Sequence, residues 1–424
     1  MAEQDLPRVG APPSLKDATW LKRPETARVF AALSGEGIET RAVGGAVRNT
    51  LLGLEVAEVD LATTALPDKV MALARKVGLK AIPTGIEHGT VTVVADGVPF
   101  EVTTLRRDVE TFGRHATVAF TEDWAEDARR RDFTLNALYA GSDGTLFDPL
   151  GGYDDLASGR VRFIGDPGAR IEEDYLRILR FFRFNAHYGR GPLDETGLAA
   201  CVRLRDGLGQ LSAERIAAEL KRVLIAPRAI EAIEALFVYG LLTLVLGGVP
   251  RLARFTRLTA IETALAAVPN APLRLAALAV FVAEDAPRLA ARFRLSNAEQ
   301  AVLALGADDL LDTALPNEAA AKRLLYRGGP SAYVSQVLLA WATDGAAADD
   351  ADWQAALTLP ERWQAPAFPL RGTDLAGLGL EGPALGEMLR RLEQHWVDSG
   401  FDTPRETLLA MAGEISRRSP TQDR

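Results

Sequence analysis

What this chain lacks narrows it first. It has one cysteine, Cys201, in 424 residues. No internal disulfide can form, and a buried apolar thiol is the simplest use for it. Its four histidines, His88, His115, His187 and His395, are scattered. No apolar run approaches the roughly 20 residues that a membrane span requires; the run over 276–282 is among the longest. The first residues lack the charged, apolar and small succession of a secretion signal. A basic excess is missing too: 48 Lys and Arg against 57 Asp and Glu leave a net charge of −9. That total argues against a generic nucleic-acid binder, but local patches decide contact. The arginines do cluster, at Arg106, Arg107, Arg114, Arg129, Arg130 and Arg131, and again from Arg160 to Arg190. These absences make a soluble, cytoplasmic protein the expectation, in a reducing compartment, with no membrane and no protein partner.

What is present is an ordinary globular composition, long enough for about two to four structural units around a large core. The expected division is an N-terminal extension over 1–28, an α+β head with a mixed sheet over 29–163, a helical neck over 164–227, and a helical body and tail over 228–424. In the front part, helix is expected over 23–33, strand over 38–43, a turn at Gly44-Gly45, and helix again to about 52. Strand follows over 56–61, then a helix from Pro67 to near Gly78. Residues 90–95 and 99–104 alternate apolar and polar around Asp96-Gly97, a strong hairpin signal. Beyond Asp166-Pro167 strand signals nearly vanish, and Leu, Ala and Arg recur at helical spacing. Ser296 to Glu299 and Thr403 to Glu406 read as capping boxes that start two helices.

The chemistry gathers at a few motifs. Gly44-Gly45 lets backbone approach a phosphate, and Arg48 lies one turn into the next helix; an ordinary turn with a surface arginine reads the same. Glu58 and Asp60, two apart on an expected strand, share a face. Alone they suit a solvated edge. Glu101, on the polar side of the strand over 99–104, adds a third carboxylate, and three acids on neighbouring strands suit metal-assisted phosphoryl chemistry. Asp132 and Asn136, at i and i+4, could contact a ribose or simply cap a helix. Asp174 and Arg177, at i and i+3 of an expected helix, could be a surface ion pair. They could equally read a base. Adenine and cytosine both present an amino donor beside an unprotonated ring nitrogen, which an aspartate and an arginine match; uracil and guanine reverse both contacts.

The order and spacing of Gly44 to Arg48, Glu58 to Thr63, Gly89 to Val93, Phe100 to Arg106, Arg130 to Ala137, Phe147-Asp148-Pro149, Gly165-Asp166-Pro167 and Glu173 to Arg177 resemble class II tRNA nucleotidyltransferases. These are the bacterial-type CCA-adding enzymes, with poly(A) polymerases as close relatives. The similarity is strong over 36–225 and weaker beyond, where Pro369 to Leu375 resembles a motif near the end of the family's helical region. The resemblance implies a seahorse-like nucleotidyltransferase with head, neck, body and tail, adding C, C and A from CTP and ATP to the tRNA 3′ end. It implies Mg²⁺ at Glu58, Asp60 and Glu101, ribose and phosphate contacts from Arg131, Asp132 and Asn136, and nucleotide selection by Asp174 and Arg177. Arg180 belongs near the base or triphosphate. The segment over 105–124 corresponds to a flexible loop needed for the switch from C to A addition.

Two positions depart from the family's pattern: Glu58 stands where aspartate is usual, and Asn49 follows Arg48 where aspartate is usual. Poly(A) polymerases and A-only adding enzymes share these motifs and remain the alternatives. An inactive RNA-binding scaffold is a further one.

Overall fold

A computed structural model describes residues 13–35, 37–112, 115–307 and 317–418, with backbone alone for 108–112, 115–117 and 418. Residues 1–12 of the expected extension, Arg114, and the side chain of His115 lie outside the described residues. The chain forms two compact units, 1–248 and 249–424. The expected head and neck therefore sit in one unit.

The first unit is built on a mixed sheet. Its strands are β1 (Thr40–Val43), β2 (Asp60–Thr63), β3 (Lys80–Gly85), β4 (Thr90–Ala95), β5 (Val98–Thr104), β8 (Tyr139–Ala140) and β9 (Leu146–Phe147), in the order β3-β4-β5-β2-β1-β8-β9. Strands β6 (Arg106–Phe112) and β7 (His115–Phe120) pair separately. The segment expected as a flexible loop thus includes a two-stranded ribbon. Asp96 and Gly97, between β4 and β5, both have positive φ, 49° and 86°. Two left-handed residues in a two-residue loop match the right-handed twist of the flanking strands.

Strand β2 runs parallel to β5, with Leu61 opposite Val102, and antiparallel to β1, with Asp60 opposite Val43. It begins at Asp60, so the expected strand over 56–61 is corrected. Residues 54–59 are unpaired, and Glu58 precedes the strand instead of sharing a pleat face with Asp60. Helices α1 (Pro24–Leu33) and α3 (Pro67–Lys76) pack on β4, while α2 (Gly45–Leu51) follows β1. Helix α4 (Trp124–Arg129) ends before Arg130, and a 3₁₀ turn covers Thr134–Asn136. Asp132 and Asn136 are therefore not on one α-helical face, contrary to expectation.

Helix α5 (Gly152–Ser158) closes the sheet region. Then come α6 (Pro167–Glu173), α7 (Leu176–Tyr188), α8 (Glu195–Arg203) and α9 (Ala213–Leu224). The expected single helix through Glu173 to Arg180 is broken at Asp174, whose φ of −157° and ψ of 105° are extended. Phe133, Phe163, Phe181 and Phe184 join the sheet region to α7. All four rings are at most 4 % exposed, and burying each contributes roughly 1.5–3 kcal/mol.

Among the described residues of the second unit every regular element is helical. Ser296 caps Asn297–Ala304 in the expected capping box. The long helix Glu318–Asp344 is interrupted at Gly329, with φ 72° and ψ 174°, just before Pro330. Its first part turns Tyr326 toward Trp396 and Glu393. Its second part stacks Trp341 on Trp353 and bonds Tyr333 to the Ala356 carbonyl.

Candidate active site

A cleft of about 440 Å³ in the first unit is lined by Gly44, Gly45, Arg48, Asp60, Arg131, Asp132, Asn136, Asp174, Arg177 and Arg180. These stand far apart in the chain and were singled out above. The lining also includes Leu176, Phe184 and Arg215, which were not. Glu58 and Glu101 are outside it.

Gly44 turns the chain from β1 into α2 with φ 70° and ψ −119°, a conformation that only glycine adopts readily. Arg48, on α2, is 7 % exposed. Its guanidinium donates to Asn136 Oδ1 at 2.5 Å and to the Tyr188 hydroxyl at 2.8 Å. Asp132 accepts four hydrogen bonds. Oδ1 accepts from the Phe133 amide (2.8 Å) and Asn136 Nδ2 (2.9 Å), and Oδ2 accepts from Arg180 Nε (2.8 Å) and Nη2 (2.5 Å). Burial alone would raise its carboxyl, but Arg180 and these hydrogen bonds bring it down to about 2. Arg180 in turn lies 3.9 Å from Glu219, a buried carboxylate that also holds Arg183 at 2.6 Å.

Arg131 is held from behind. Asp127, fully buried, accepts from Arg131 (3.1 Å), Arg130 (2.7 Å) and the Tyr139 hydroxyl (2.8 Å). Burial would raise Asp127; the charges of Arg131 and Arg130 and their hydrogen bonds outweigh it and hold the carboxyl near about 2. The Asp174 and Arg177 side chains do not pair with each other; each is paired elsewhere. Asp174 Oδ2 accepts from Arg215 at 2.6 Å and Oδ1 from the Leu176 amide at 3.2 Å. Arg177 Nη1 is tied to Glu173 (2.5 Å) and the Arg170 carbonyl (2.6 Å). Both side chains line the cleft from the break between α6 and α7 and from the first turn of α7.

Asp60 stands in the open wall of the cleft, where protein surrounds it without covering it. That desolvation, then the charges of Glu101 and Glu58, push its carboxyl up to about 6, and Arg131 works against them. Among the described residues no three such side chains come close enough to hold a metal ion together. Of the three expected carboxylates, Asp60 lines the cleft, and Glu101 and Glu58 lie near enough for their charges to act on it. Crowded, hard carboxylate oxygens still suit Mg²⁺, which is commonly held by one or two carboxylates with phosphate and water completing the shell. Cys201 is buried and its thiol is pushed up by burial, as expected of an inert cysteine. Among the described residues no helix is long and apolar enough to cross a membrane.

A mixed sheet carrying an acid on β2, with a glycine turn and the start of α7 at the same cleft, defines a nucleotidyltransferase-type head. Residues 40–162 match the Poly A polymerase head domain, and 192–255 match the probable RNA and SrmB-binding site of polymerase A. The chain is 35 % identical over 390 residues to the mitochondrial CCA tRNA nucleotidyltransferase 1 of Mus musculus, covering 88 % of this chain and 86 % of that one. It is 33 % identical over 408 residues to the CCA-adding enzyme of Lacticaseibacillus paracasei, covering 92 % and 96 %. The crystal structure of the Bacillus stearothermophilus CCA-adding enzyme in complex with CTP superposes with a TM-score of 0.72 at 27 % identity, over 93 % of this chain and 98 % of that one. The chain belongs to the CCA tRNA nucleotidyltransferase family and is a nucleotidyltransferase.

Proposed function

We propose that this enzyme adds C, C and A, from CTP and ATP, to the 3′ end of tRNA without a nucleic-acid template. The observation that carries this reading is one cleft that brings Asp174 and Arg177 to the same space as Gly44, Arg48 and Asp60. Arg177 and Asp174 select the base. Asp174 accepts from the exocyclic amino group that adenine and cytosine share, and Arg177 donates to the adjoining ring nitrogen. Arg131, Asp132 and Asn136 orient the sugar and the phosphate nearest it, with Arg180 beside them. Gly44, Gly45 and Arg48 receive the triphosphate. Asp60, with Glu58 and Glu101 close by, would hold Mg²⁺, which supplies charge neutralisation at the phosphates and activation of the attacking hydroxyl. Glu101 is assigned to the side of that hydroxyl. The tRNA 3′-hydroxyl attacks the α-phosphorus, and pyrophosphate leaves.

Glu58 reaches one methylene farther than the family's usual aspartate, from a backbone that lies just before β2. We assign 29–163 to the head, 164–227 to the neck, and 228–424 to tRNA binding, after an extension over 1–28. The setting is cytoplasmic; the single buried cysteine fits a reducing compartment.

The test is incubation of tRNA lacking CCA with CTP and ATP, separately and together. CCA addition predicts incorporation of C from CTP alone and completion of the end with both. Long tails from ATP alone with no uptake of CTP would make the enzyme a poly(A) polymerase.

A further inference from the structure

Asn49 has no part in the scheme above, yet it is bonded at both ends of its amide. Of the five arginines lining the cleft, four face a carboxylate: Arg131 on Asp127, Arg177 on Glu173, Arg180 on Asp132 and Arg215 on Asp174. Arg48 is different. Its hydrogen-bond partners among the described residues are neutral: Asn136, the Tyr188 hydroxyl, and Asn49 Oδ1, which accepts from Nε at 3.1 Å and Nη2 at 2.9 Å. A buried guanidinium so arranged is oriented on several sides without having its charge cancelled.

The other end of Asn49 reaches the chain that carries the acids. Nδ2 donates to the Glu55 carbonyl at 3.0 Å, and the Asn49 carbonyl accepts from the Leu54 amide at 2.8 Å. Glu55 lies in the unpaired run that leads through Glu58 to Asp60. A guanidinium only donates and a carbonyl only accepts. A side chain bridging them must accept on one side and donate on the other. A primary amide does both. An ionised aspartate could serve Arg48, but it would cancel the charge and turn a second acceptor toward the Glu55 carbonyl.

We propose that Asn49 is a positioning residue for the substrate's triphosphate: its oxygen aims the Arg48 guanidinium while leaving that charge for phosphate oxygens, and its nitrogen ties the 54–59 segment to the same point. The inference rests on the nucleotide-transfer reading and adds a residue to it. It also ties Asn49 to Glu55, three residues before Glu58, the other position at which this chain departs from its family's pattern.

The experiment compares the full-length parent with Asn49→Asp, Asn49→Ala and Asn49→Gln. Calorimetric binding of inorganic tripolyphosphate, which has no base or sugar, is read beside kcat and KM for CTP and ATP. Asn49→Asp should weaken tripolyphosphate binding about tenfold and raise KM for CTP and ATP by the same factor, with the choice between bases unchanged. Asn49→Ala should weaken binding about threefold, and Asn49→Gln, which keeps donor and acceptor without charge, should recover part of that loss. Tripolyphosphate affinity equal to the parent's in Asn49→Asp overturns the inference, as does a KM change confined to one nucleotide. If Asn49→Asp does not fold, parent-like affinity in Asn49→Ala overturns it instead. A parent that transfers neither C nor A to tRNA overturns the functional reading, and the tripolyphosphate comparison still decides the role of Asn49.

Discussion

Replacing Asp127 with asparagine tests how the cleft is held from behind. The shape is kept and one buried charge is removed. In the folded chain the Asp127 carboxyl is held near about 2, against an ordinary 3.8. A difference of this size corresponds to about 2 kcal/mol of stability supplied by the ionised carboxylate. Asp127 is fully buried, so solvent does not screen it, while Arg130 and Arg131 are each less than a fifth exposed and lose their counter-ion. The sign follows from a depressed pKa. The contribution is fully present above the unfolded value near 4 and is lost as pH falls toward 2. Equilibrium unfolding in urea at pH 7, 5, 4 and 3 should therefore show Asp127→Asn less stable by about 2 kcal/mol, with a gap that is flat from pH 7 to 5 and narrows below 4. The variant should also raise KM for CTP and ATP, because Arg131 loses its anchor. A gap absent at pH 7, or one as wide at pH 3 as at pH 7, would refute the argument.

Three further outcomes follow from the same geometry. Arg215→Ala frees Asp174 from its 2.6 Å tether, and Asp174→Ala removes the acceptor itself. Both should raise misincorporation of UTP or GTP, the second by about tenfold or more, while gel-shift affinity for tRNA stays level; unchanged nucleotide choice in both would count against base reading. Gly207→Ala puts a Cβ 2.0 Å from the Tyr175 ring, next to Asp174; a thermal midpoint and kcat equal to the parent's would mean the ring moves freely, whereas the packing predicts about 1–3 kcal/mol of destabilisation. Asp60→Asn should lower single-turnover transfer about a hundredfold or more with the fold intact by circular dichroism, and full activity in that variant would end the assignment of Asp60.

Legibility in the sequence tracked the range over which each cause acts. The β4–β5 hairpin could be read because Asp96-Gly97 states its own geometry in two residues. The strand expected over 56–61 is too long because the apolar residues Val56, Val59 and Leu61 do not reveal where a partner ends. β1 is four residues long and pairs only from Asp60 to Thr63. The break at Asp174 was invisible because nothing local breaks the helical spacing of Glu173 to Arg180; the carboxylate is held by Arg215, 41 residues downstream. Motif order located Gly44, Arg48, Asp132, Asn136 and Arg177, and the fold brings them together. It could not locate Arg215, Asp127 or Glu219, whose meaning lies in which distant side chain they meet. The only local sign of Arg215 is a charged residue near the start of an amphipathic helix, and many such residues simply face water.

The interruption at Gly329 and Pro330 bears on how the second unit comes apart. Glu318–Asp344 is two helices meeting at a kink, and they hold to different neighbours. Tyr326 and Arg327 belong with Glu393, Gln394 and Trp396. Tyr333 and Trp341 belong with Ala356 and Trp353. Only glycine tolerates the backbone angles at 329, and the proline beyond it removes an amide that a continuous helix would use. Cooperativity passes along a helix through its unbroken ladder, so this joint predicts two opening reactions with separate free energies, which amide hydrogen exchange would show as earlier loss of protection in the C-terminal cluster than around the stacked tryptophans.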